Sequence, residues 1–498
     1  MVKKWMTQAT PESMGVSSQS ILAYLKELDR AGCCMHGFCI LRHGQVIAEG
    51  HYKPFTAQQR HRMYSSSKSM TAIAVGLLQD EGKISLDDSI CDYFKDRQPE
   101  QVHPWIRETT IRDMLRMATC FVTSTYQMID NPQHDWIRIT YECPPTHRPG
   151  HVFSYDTSVA TVLAALVEEL SGMELMEYLH QKLAPLDLSP ENTCVKVPDG
   201  KSSWGGSGVL CPQRDFAKLA LLSLNLGQWE GEQLISREFM QLATSKQIEN
   251  GKYGYGYQFW MGPHGFSMLG MGGQMAFCIP EADMILVTTA DMQADNDKRI
   301  CVEDKFYELV LAQAVDTALP EDAAAKEELE QYIAGLEVKP IQGSAHSPIE
   351  AQVSGKRYEM VPNEKGAWSS LRLGEVSVEI QGDEGVFQWD KNRLRFGLGH
   401  FAFQDFPGFA SAKEAEGVPP VVYWYESIKP VLHMPCMTSA AWKNDSVLEI
   451  LCYAIGDFLG TLKIRCVFEE DGITVQMQKF AEKFWEELQG FQSGYCKG

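Results

Sequence analysis

Apolar positions recur at two different spacings along this chain, and the spacings divide it. In "GVSSQSILAYLKELDRAG", Ile21, Leu22, Leu25 and Leu28 fall on one helical stripe, with serines ahead of it and Gly32 behind. "GFCILRHGQVIAEGHY" places two apolar runs around His43-Gly44, the pattern of a β-hairpin. A helix then runs from the serines of "RMYSSSKSMTAIAVGLLQDEGK" to about Glu81-Gly82. "TTIRDMLRMAT" predicts another, capped by Thr109 or Thr110 with Asp113 in its first turn. The longest helical passage, "SYDTSVATVLAALVEELSGMELMEYLHQKL", breaks at Ser171-Gly172, and a further helix spans about Pro212 to Leu226. Strand spacing returns at "YGYGYQFWMG", "MAFCIP" and "MILVTTAD", the last two joined by a turn from Pro280 to Asp283. "EDKFYELVLAQAVDTAL" is a final amphipathic helix. Strands at both ends with helices between predict an α/β (α+β) domain over 1–319 with an antiparallel sheet rather than βαβ repeats.

After Leu319 the character changes. The acidic helix "EDAAAKEELEQYIAGL" leads into "EVKPIQGSAHSP", so 320–346 reads as helix and linker. From 347 to 498 the spacing is two, as in "VSVEIQG", "VLEILCYAI" and "TLKIRCVFEEDGITVQMQ", the last with Asp471-Gly472 at a hairpin turn. A separate, mostly β C-terminal domain is expected there, a small sandwich or barrel-like module.

Composition narrows the partners. With 498 residues, 44% hydrophobic and 22% charged, the chain reads as a soluble globular protein with more than one core. It has no run of about 18 apolar residues for a membrane helix. "MVKKWMTQATPESMG" has no apolar stretch of the secretory kind, so a cytoplasmic location is expected. The net charge of −20 argues against nucleic acid and anionic membrane surfaces as partners. Fourteen cysteines without any C-x-x-C read as reduced, mostly buried thiols. No Cys/His cluster has zinc spacing, and no metal or cofactor is expected.

Ser65 and Lys68 stand three apart at a predicted helix start, so their side chains share a face. A serine hydroxyl needs an adjacent base to become a nucleophile, and a lysine one turn along can supply it. Unpaired N–H groups at a helix start suit a developing oxyanion. S-x-x-K matches arise by chance about once or twice in a chain of this length, so the tetrad alone leaves a capping role equally open.

The surroundings extend the match. "MYSSSKSMTAIAVGLLQDEGKISLDDSICDYF" resembles the nucleophile helix of serine hydrolases related to class C beta-lactamases and D-Ala-D-Ala peptidases. "TIRDMLRMAT", "RPGHVFSYDTS", "GGSGVLCPQRDFAKL", "YGYGYQFW" and "GMGGQMAFCIPEADMILVTT" follow in that family's order, across roughly residues 10 to 315. The resemblance implies a beta-lactamase/transpeptidase-like fold with an all-helical subdomain. It implies Ser65 as nucleophile, Lys68 as its partner and Tyr155 as the tyrosine that relays protons. It implies the backbone N–H groups of Ser65 and Gln274 as the oxyanion hole, and Thr157, Met271, Gly272 and Gly273 at substrate-binding positions. Two of these depart from the family: Thr157 stands where Asn is usual, and Met271-Gly272-Gly273 replace K-T-G or H-T-G. Without the cation, a substrate carboxylate loses its usual partner, while the glycines let a substrate approach the strand backbone.

Plainer readings suit the remaining candidates. His43, His61 and His264 read as loop or surface residues, and Cys120 as a buried thiol. Tyr253, Tyr255, Tyr257, Phe259 and Trp260 read mostly as sheet and core. The leading expectation is a serine hydrolase cleaving a small-molecule ester or amide through an acyl-enzyme on Ser65. A second alcohol or amine as acceptor would make it a transferase. One alternative is a non-catalytic ligand-binding or sensory protein on the same fold, toward which Thr157 and Met271 point. The other is a beta-lactamase or D-amino-acid peptidase, which Met271 and the absence of an export signal disfavour. The C-terminal domain is compatible with covering the site, forming a homo-oligomer or stabilising the enzyme.

Overall fold

The computed structural model describes residues 4–122, 135–197, 201–363, 369–409, 433–481 and 484–496. They form two compact units, one running to Glu337 and the other starting at Val338.

The first unit is built on strands from its two ends. They are β1 (Met35–Arg42), β2 (Gln45–His51), β3 (Arg60–Arg62), β4 (Thr193–Cys194), β5 (Val209–Pro212), β6 (Gln228–Trp229), β7 (Glu232–Gln233), β8 (Trp260–Gly262), β9 (Gly265–Gly270), β10 (Gln274–Ile279) and β11 (Met284–Ala290). Six of them make an antiparallel sheet in the order β2-β1-β11-β10-β9-β8. Every residue of β1 and β11 is buried, so this centre is covered on both faces and its sequence reads as continuous apolar runs. β3, β5 and β4 form a small second sheet.

Local signals set the helices. The helix α1 (Ser18–Ala31) starts where the Ser17 hydroxyl accepts from Gln19 N–H at 3.1 Å and stops at Gly32, whose φ is +69°. The helix α2 (Ser67–Asp80) is buried around its whole girth from Ser67 to Leu78. It packs against the helices Thr157–Ser171, Leu175–Lys182 and Arg237–Ala243. Gly76 makes the last contact possible, since a Cβ there would lie 2.4 Å from the Phe239 ring. Thr110 and Asp113 form the expected capping box ahead of Ile111–Leu115.

Two elements differ from expectation. Of "YGYGYQFWMG" only Trp260–Gly262 is strand, because Gly254 at φ +92° and Gln258 at φ +63° bend the chain. Tyr255, Tyr257 and Phe259 are fully buried in that loop, so their alternation reflects core packing rather than sheet. The helix Ala323–Ala334 packs on α1 through Lys26–Glu328 (2.9 Å) and a Tyr332–Asp29 hydrogen bond, and the compact unit continues past Leu319 to Glu337.

The second unit contains β12 (Arg357–Met360), β13 (Glu375–Gln381), β14 (Glu384–Trp389), β15 (Asn392–Leu398), β16 (Ala402–Asp405), β17 (Pro435–Asn444), β18 (Val447–Ile455), β19 (Leu459–Phe468), β20 (Gly472–Ala481) and β21 (Gly490–Cys496). They pair in the order β15-β14-β13-β12-β21-β20-β19-β18-β17-β16, and a parallel β15–β17 pairing closes the ring into a β-barrel. Closure removes most of the exposed edge that an open sheet would present. The hairpin at Asp471-Gly472 joins β19 to β20.

Among the described residues no helix is long and apolar enough to cross a membrane, and no cluster of His, Cys, Asp and Glu could hold a metal ion. The fourteen cysteines are free thiols, most of them buried.

His61 is buried in β3, not on a surface loop, because β3 pairs with β5 and the His61 ring meets His36 of β1 and Phe55. Its Nε2 is 3.3 Å from His36 Nδ1, and Phe55 stacks on His36 at 3.6 Å. Burial pushes the His61 imidazole down to about 4 and lowers His36 and His51 as well. For His61 the unfolded chain takes up its proton near pH 6.5 and the folded one only near pH 4, so that contribution is complete above 6.5 and lost as pH falls from 6.5 to 4. Between pH 7.5 and 5 the His61 ring alone is expected to cost the fold about 2 kcal/mol. Urea unfolding across that range should show a shallower pH slope in His61→Asn than in the wild type.

Candidate active site

The chain reaches the predicted nucleophile through β3 and a tight 3-10 turn, Tyr64–Ser66, that runs directly into α2. Tyr64 is buried at φ +46°, an unfavourable conformation for a bulky side chain that the packing around it enforces. Met63 N–H donates to Val209 O at 2.7 Å, tying the turn to β5.

The serine cluster does not cap the helix. Ser66, the residue ahead of α2, has helical dihedrals and makes no side-chain capping bond. Instead the cluster holds the helix start to three distant strands and loops. Ser66 Oγ donates to Gln274 O (2.8 Å), Ser67 Oγ accepts from Val209 N–H (3.0 Å), and Ser69 Oγ donates to Gln258 O (2.6 Å). Thr71 Oγ1 adds a bond to Gly205 O at 2.9 Å. Ser65 is left half-buried and turned to a different partner.

That partner is Lys68. Its Nζ lies 3.1 Å from Ser65 Oγ and 2.6 Å from Gly206 O, and the residue is only 1% exposed. Its Nζ also lies 4.9 Å from the centroid of the Tyr155 ring, within cation–π range. Tyr155 stands just before the helix Thr157–Ser171, whose start is fixed by Asp156 accepting from Ser158 N–H at 2.9 Å. Trp260 packs on Tyr155 with centroids 5.4 Å apart, and Phe153 and Tyr255 complete an aromatic cluster. Burial, and then the neighbouring Tyr155, push the Tyr255 phenol well above the ordinary range, which removes it from proton traffic.

Gln274 opens β10, one hydrogen bond from Ser66. Its side chain donates to Met271 O (2.9 Å) and Ala290 O (2.8 Å) and accepts from Ala290 N–H (3.1 Å). Met271–Gly273, expected as part of a strand, form a 3-10 turn between β9 and β10. Gly272 at φ +77° and Gly273 at φ +108° account for the turn, and a Cβ on Gly273 would meet Met292 at 2.5 Å. These glycines thus answer the protein's own packing. Met271 is 38% exposed beside them. Thr157 is the first residue of its helix, and a Cβ on Gly206 would lie 2.3 Å from its carbonyl oxygen.

Two contributors escaped the sequence reading. The Gly206 carbonyl anchors Lys68, and its only signal was the pair of glycines in "WGGSG". Trp260 is one of five aromatics whose pattern reads mostly as sheet and core with room for one at the pocket, and only the fold brings it to Tyr155. His43 lies in the β1–β2 turn, 2.9 Å from Asp283, and His264 is exposed beside Tyr307. Cys120 is fully buried, and burial pushes its thiol up to about 11.

A hydroxyl within hydrogen-bond reach of a buried amine, on a helix set against an antiparallel sheet, belongs to the chemistry of acyl transfer. Comparison with known proteins gives the family. A model of the beta-lactamase family matches residues 35–300, more than half the chain, and the chain belongs to that family. It is a serine hydrolase acting on amide or ester bonds. The 6-aminohexanoate-dimer hydrolase of Paenarthrobacter ureafaciens is 24% identical over 313 residues, covering 56% of this chain and 79% of that protein. A solved Bacillus anthracis structure, provisionally assigned as a 6-aminohexanoate-dimer hydrolase, superposes with a TM-score of 0.50 at 19% identity, covering 62% of this chain and 87% of that one. An octameric penicillin-binding protein homologue from Pyrococcus abyssi gives 0.47 at 14% identity, with 96% and 99% covered.

Because Ser67 supplies the acceptor for a buried N–H, Ser67→Ala is expected to cost about 1–3 kcal/mol of stability. Ser65→Ala also removes an acceptor, that of Lys68 Nζ, but at a half-buried position where water can take its place, so it should cost less. Urea denaturation of the two variants side by side checks the order.

Proposed function

We propose that Ser65 is the acylated residue and that the substrate is a small, acyclic amide or ester. The observation that carries this reading is the Lys68 amine, buried and held 3.1 Å from Ser65 Oγ. Ser65 Oγ attacks the substrate carbonyl and its proton passes to Lys68 Nζ. The backbone N–H groups of Ser65 and Gln274 receive the charge that develops on the carbonyl oxygen. As the tetrahedral intermediate collapses, the leaving nitrogen or oxygen takes a proton through the Tyr155 hydroxyl and departs as amine or alcohol. Water then attacks the acyl-enzyme, gives up its proton to the same pair, and releases the carboxylic acid and free Ser65.

Substrate preference follows from what flanks the pair. Met271 stands where penicillin-recognising relatives carry a cation, so a carboxylate at that place finds no ionic partner in its side chain. Trp260 and Met271 offer apolar surface beside Tyr155 and Gln274 instead. The relative named for hydrolysing the 6-aminohexanoate dimer makes an amide between two such units the first substrate to try, with its carboxylate seated away from Met271.

A p-nitrophenyl acyl ester should give a burst of p-nitrophenol, and a fluorophosphonate probe should label one serine per chain. Ser65→Ala should abolish both. Lys68→Met and Tyr155→Phe should slow the chemical step by about 100-fold or more, the scale of lost general acid–base catalysis. Neither burst nor labelling in the wild type, or equal labelling of Ser65→Ala, would remove Ser65 as the acylated residue. Met271→Lys should lower KM for substrates bearing a carboxylate by about tenfold relative to neutral ones, as one charge-assisted hydrogen bond would. An unchanged ratio would remove Met271 from the substrate-binding surface.

A further inference from the structure

Arg62 precedes the proposed nucleophile by three residues and is 1% exposed, as buried as Lys68 itself. A guanidinium this deep has to find acceptors and faces to lie against. Its Nε donates to Ser207 O at 2.8 Å and its Nη2 to Ser207 Oγ at 3.1 Å. Its Cζ lies 4.8 Å from the ring centroids of both Tyr64 and Trp204, so the planar group also rests against two aromatic rings.

These contacts converge on one turn. Trp204 and Ser207 are its two ends, closed by Ser207 N–H and Gly208 N–H donating to Trp204 O at 2.9 and 2.7 Å. Between them lie Gly205 and Gly206, whose Cα atoms press on the helix Thr157–Ser171 so closely that a Cβ on either would meet it under 2.5 Å away. Two consecutive glycines leave a backbone with little conformational preference of its own. The direction of the Gly206 carbonyl must therefore be set by what grips the turn, and that carbonyl is the one Lys68 Nζ donates to at 2.6 Å.

We infer that Arg62 is a positioning residue for the acylation step: by clamping Trp204 and Ser207 it aims the Gly206 carbonyl at Lys68, and so holds the Lys68 amine on Ser65. The inference rests on the proposed role of Lys68 as the base. A lysine at 62 would not do the same, since an ammonium has no planar face to lie between rings and no fork to span two acceptors. The positive charge alone would survive that change, while the geometry would not.

Fluorophosphonate labelling separates positioning from folding, because its end-point counts competent sites and its rate constant reports how each one reacts. In Arg62→Lys the end-point should stay near one label per chain while the second-order rate constant falls about tenfold, the scale of a sub-ångström misplacement of a reacting group. Ser207→Ala removes the Nη2 acceptor and should slow labelling only about threefold, since the Nε bond to the Ser207 carbonyl stays in place. Ser207→Ala carries the test if Arg62→Lys does not fold. A folded Arg62→Lys with the wild-type rate constant, whatever its end-point, overturns the inference, and so does a wild-type rate in Ser207→Ala when that variant stands alone. Wild type and Ser65→Ala run alongside. Loss of Ser65-dependent labelling in the wild type would instead remove the underlying acylation reading.

Discussion

A lysine amine buried to 1% exposure makes demands that shape much of the first unit. Taking such a group out of water costs several kcal/mol unless acceptors replace the water. Ser65 Oγ and Gly206 O supply those acceptors from two segments that are far apart in sequence. Both segments must therefore meet within a few tenths of an ångström. The three-stranded sheet that pairs β3 with β5 brings them together, since β3 leads into the Ser65 turn and the Gly206 turn leads into β5. Removing either acceptor would leave a buried polar group to find a new partner, so the geometry of the pair and the stability of the unit are linked.

The serine cluster shows how that meeting is secured. Ser66, Ser67 and Ser69 each spend a hydroxyl on backbone of another element, at Gln274, Val209 and Gln258. Bonds from a side chain to distant backbone fix translation as well as rotation, which a local cap does not. The helix start is thus located against β10 and β5 at once. Ser65, free of such work, keeps its hydroxyl for Lys68. The same economy appears at Gln274, whose amide stitches β10 to Ala290 and Met271 while its main chain receives Ser66. On the other side of the pair, the Asp156 cap holds the chain where Tyr155 meets Lys68 and Trp260.

The second unit solves a different problem with different means. Some of its strands alternate buried with more exposed residues, as β12 and β14 do, so one face of each needs covering. Rolling the sheet until β15 meets β17 encloses that face and satisfies backbone groups that an open sheet would leave at its edges.

Much of this was written in the sequence, because the signals concerned are local. Caps and stops at Ser17, Gly32, Thr110 and Gly172 fall where side-chain oxygens and glycine dihedrals act within a turn or two, and the hairpins at His43-Gly44 and Asp471-Gly472 are equally short-range. The three-residue spacing of Ser65 and Lys68 likewise fixes one shared helix face, whatever the rest of the chain does. What those residues touch is another matter. A carbonyl such as that of Gly206 has no signature in residue type, and the meeting of Tyr155 with Trp260 depends on how a sheet and a helix pack. The turn at Met271–Gly273 escaped for a related reason: glycine permits both strand and left-handed dihedrals, and the neighbouring Ala290 and Met292 decide between them. The burial of His61, which the sequence reads as a loop or surface residue, is a property of the assembled sheets. The sequence by itself determined most of the elements and the shared face of Ser65 and Lys68, since these follow from short-range geometry; only the tertiary structure decided the acceptors, rings and clamps around the two side chains, since those are set by long-range packing.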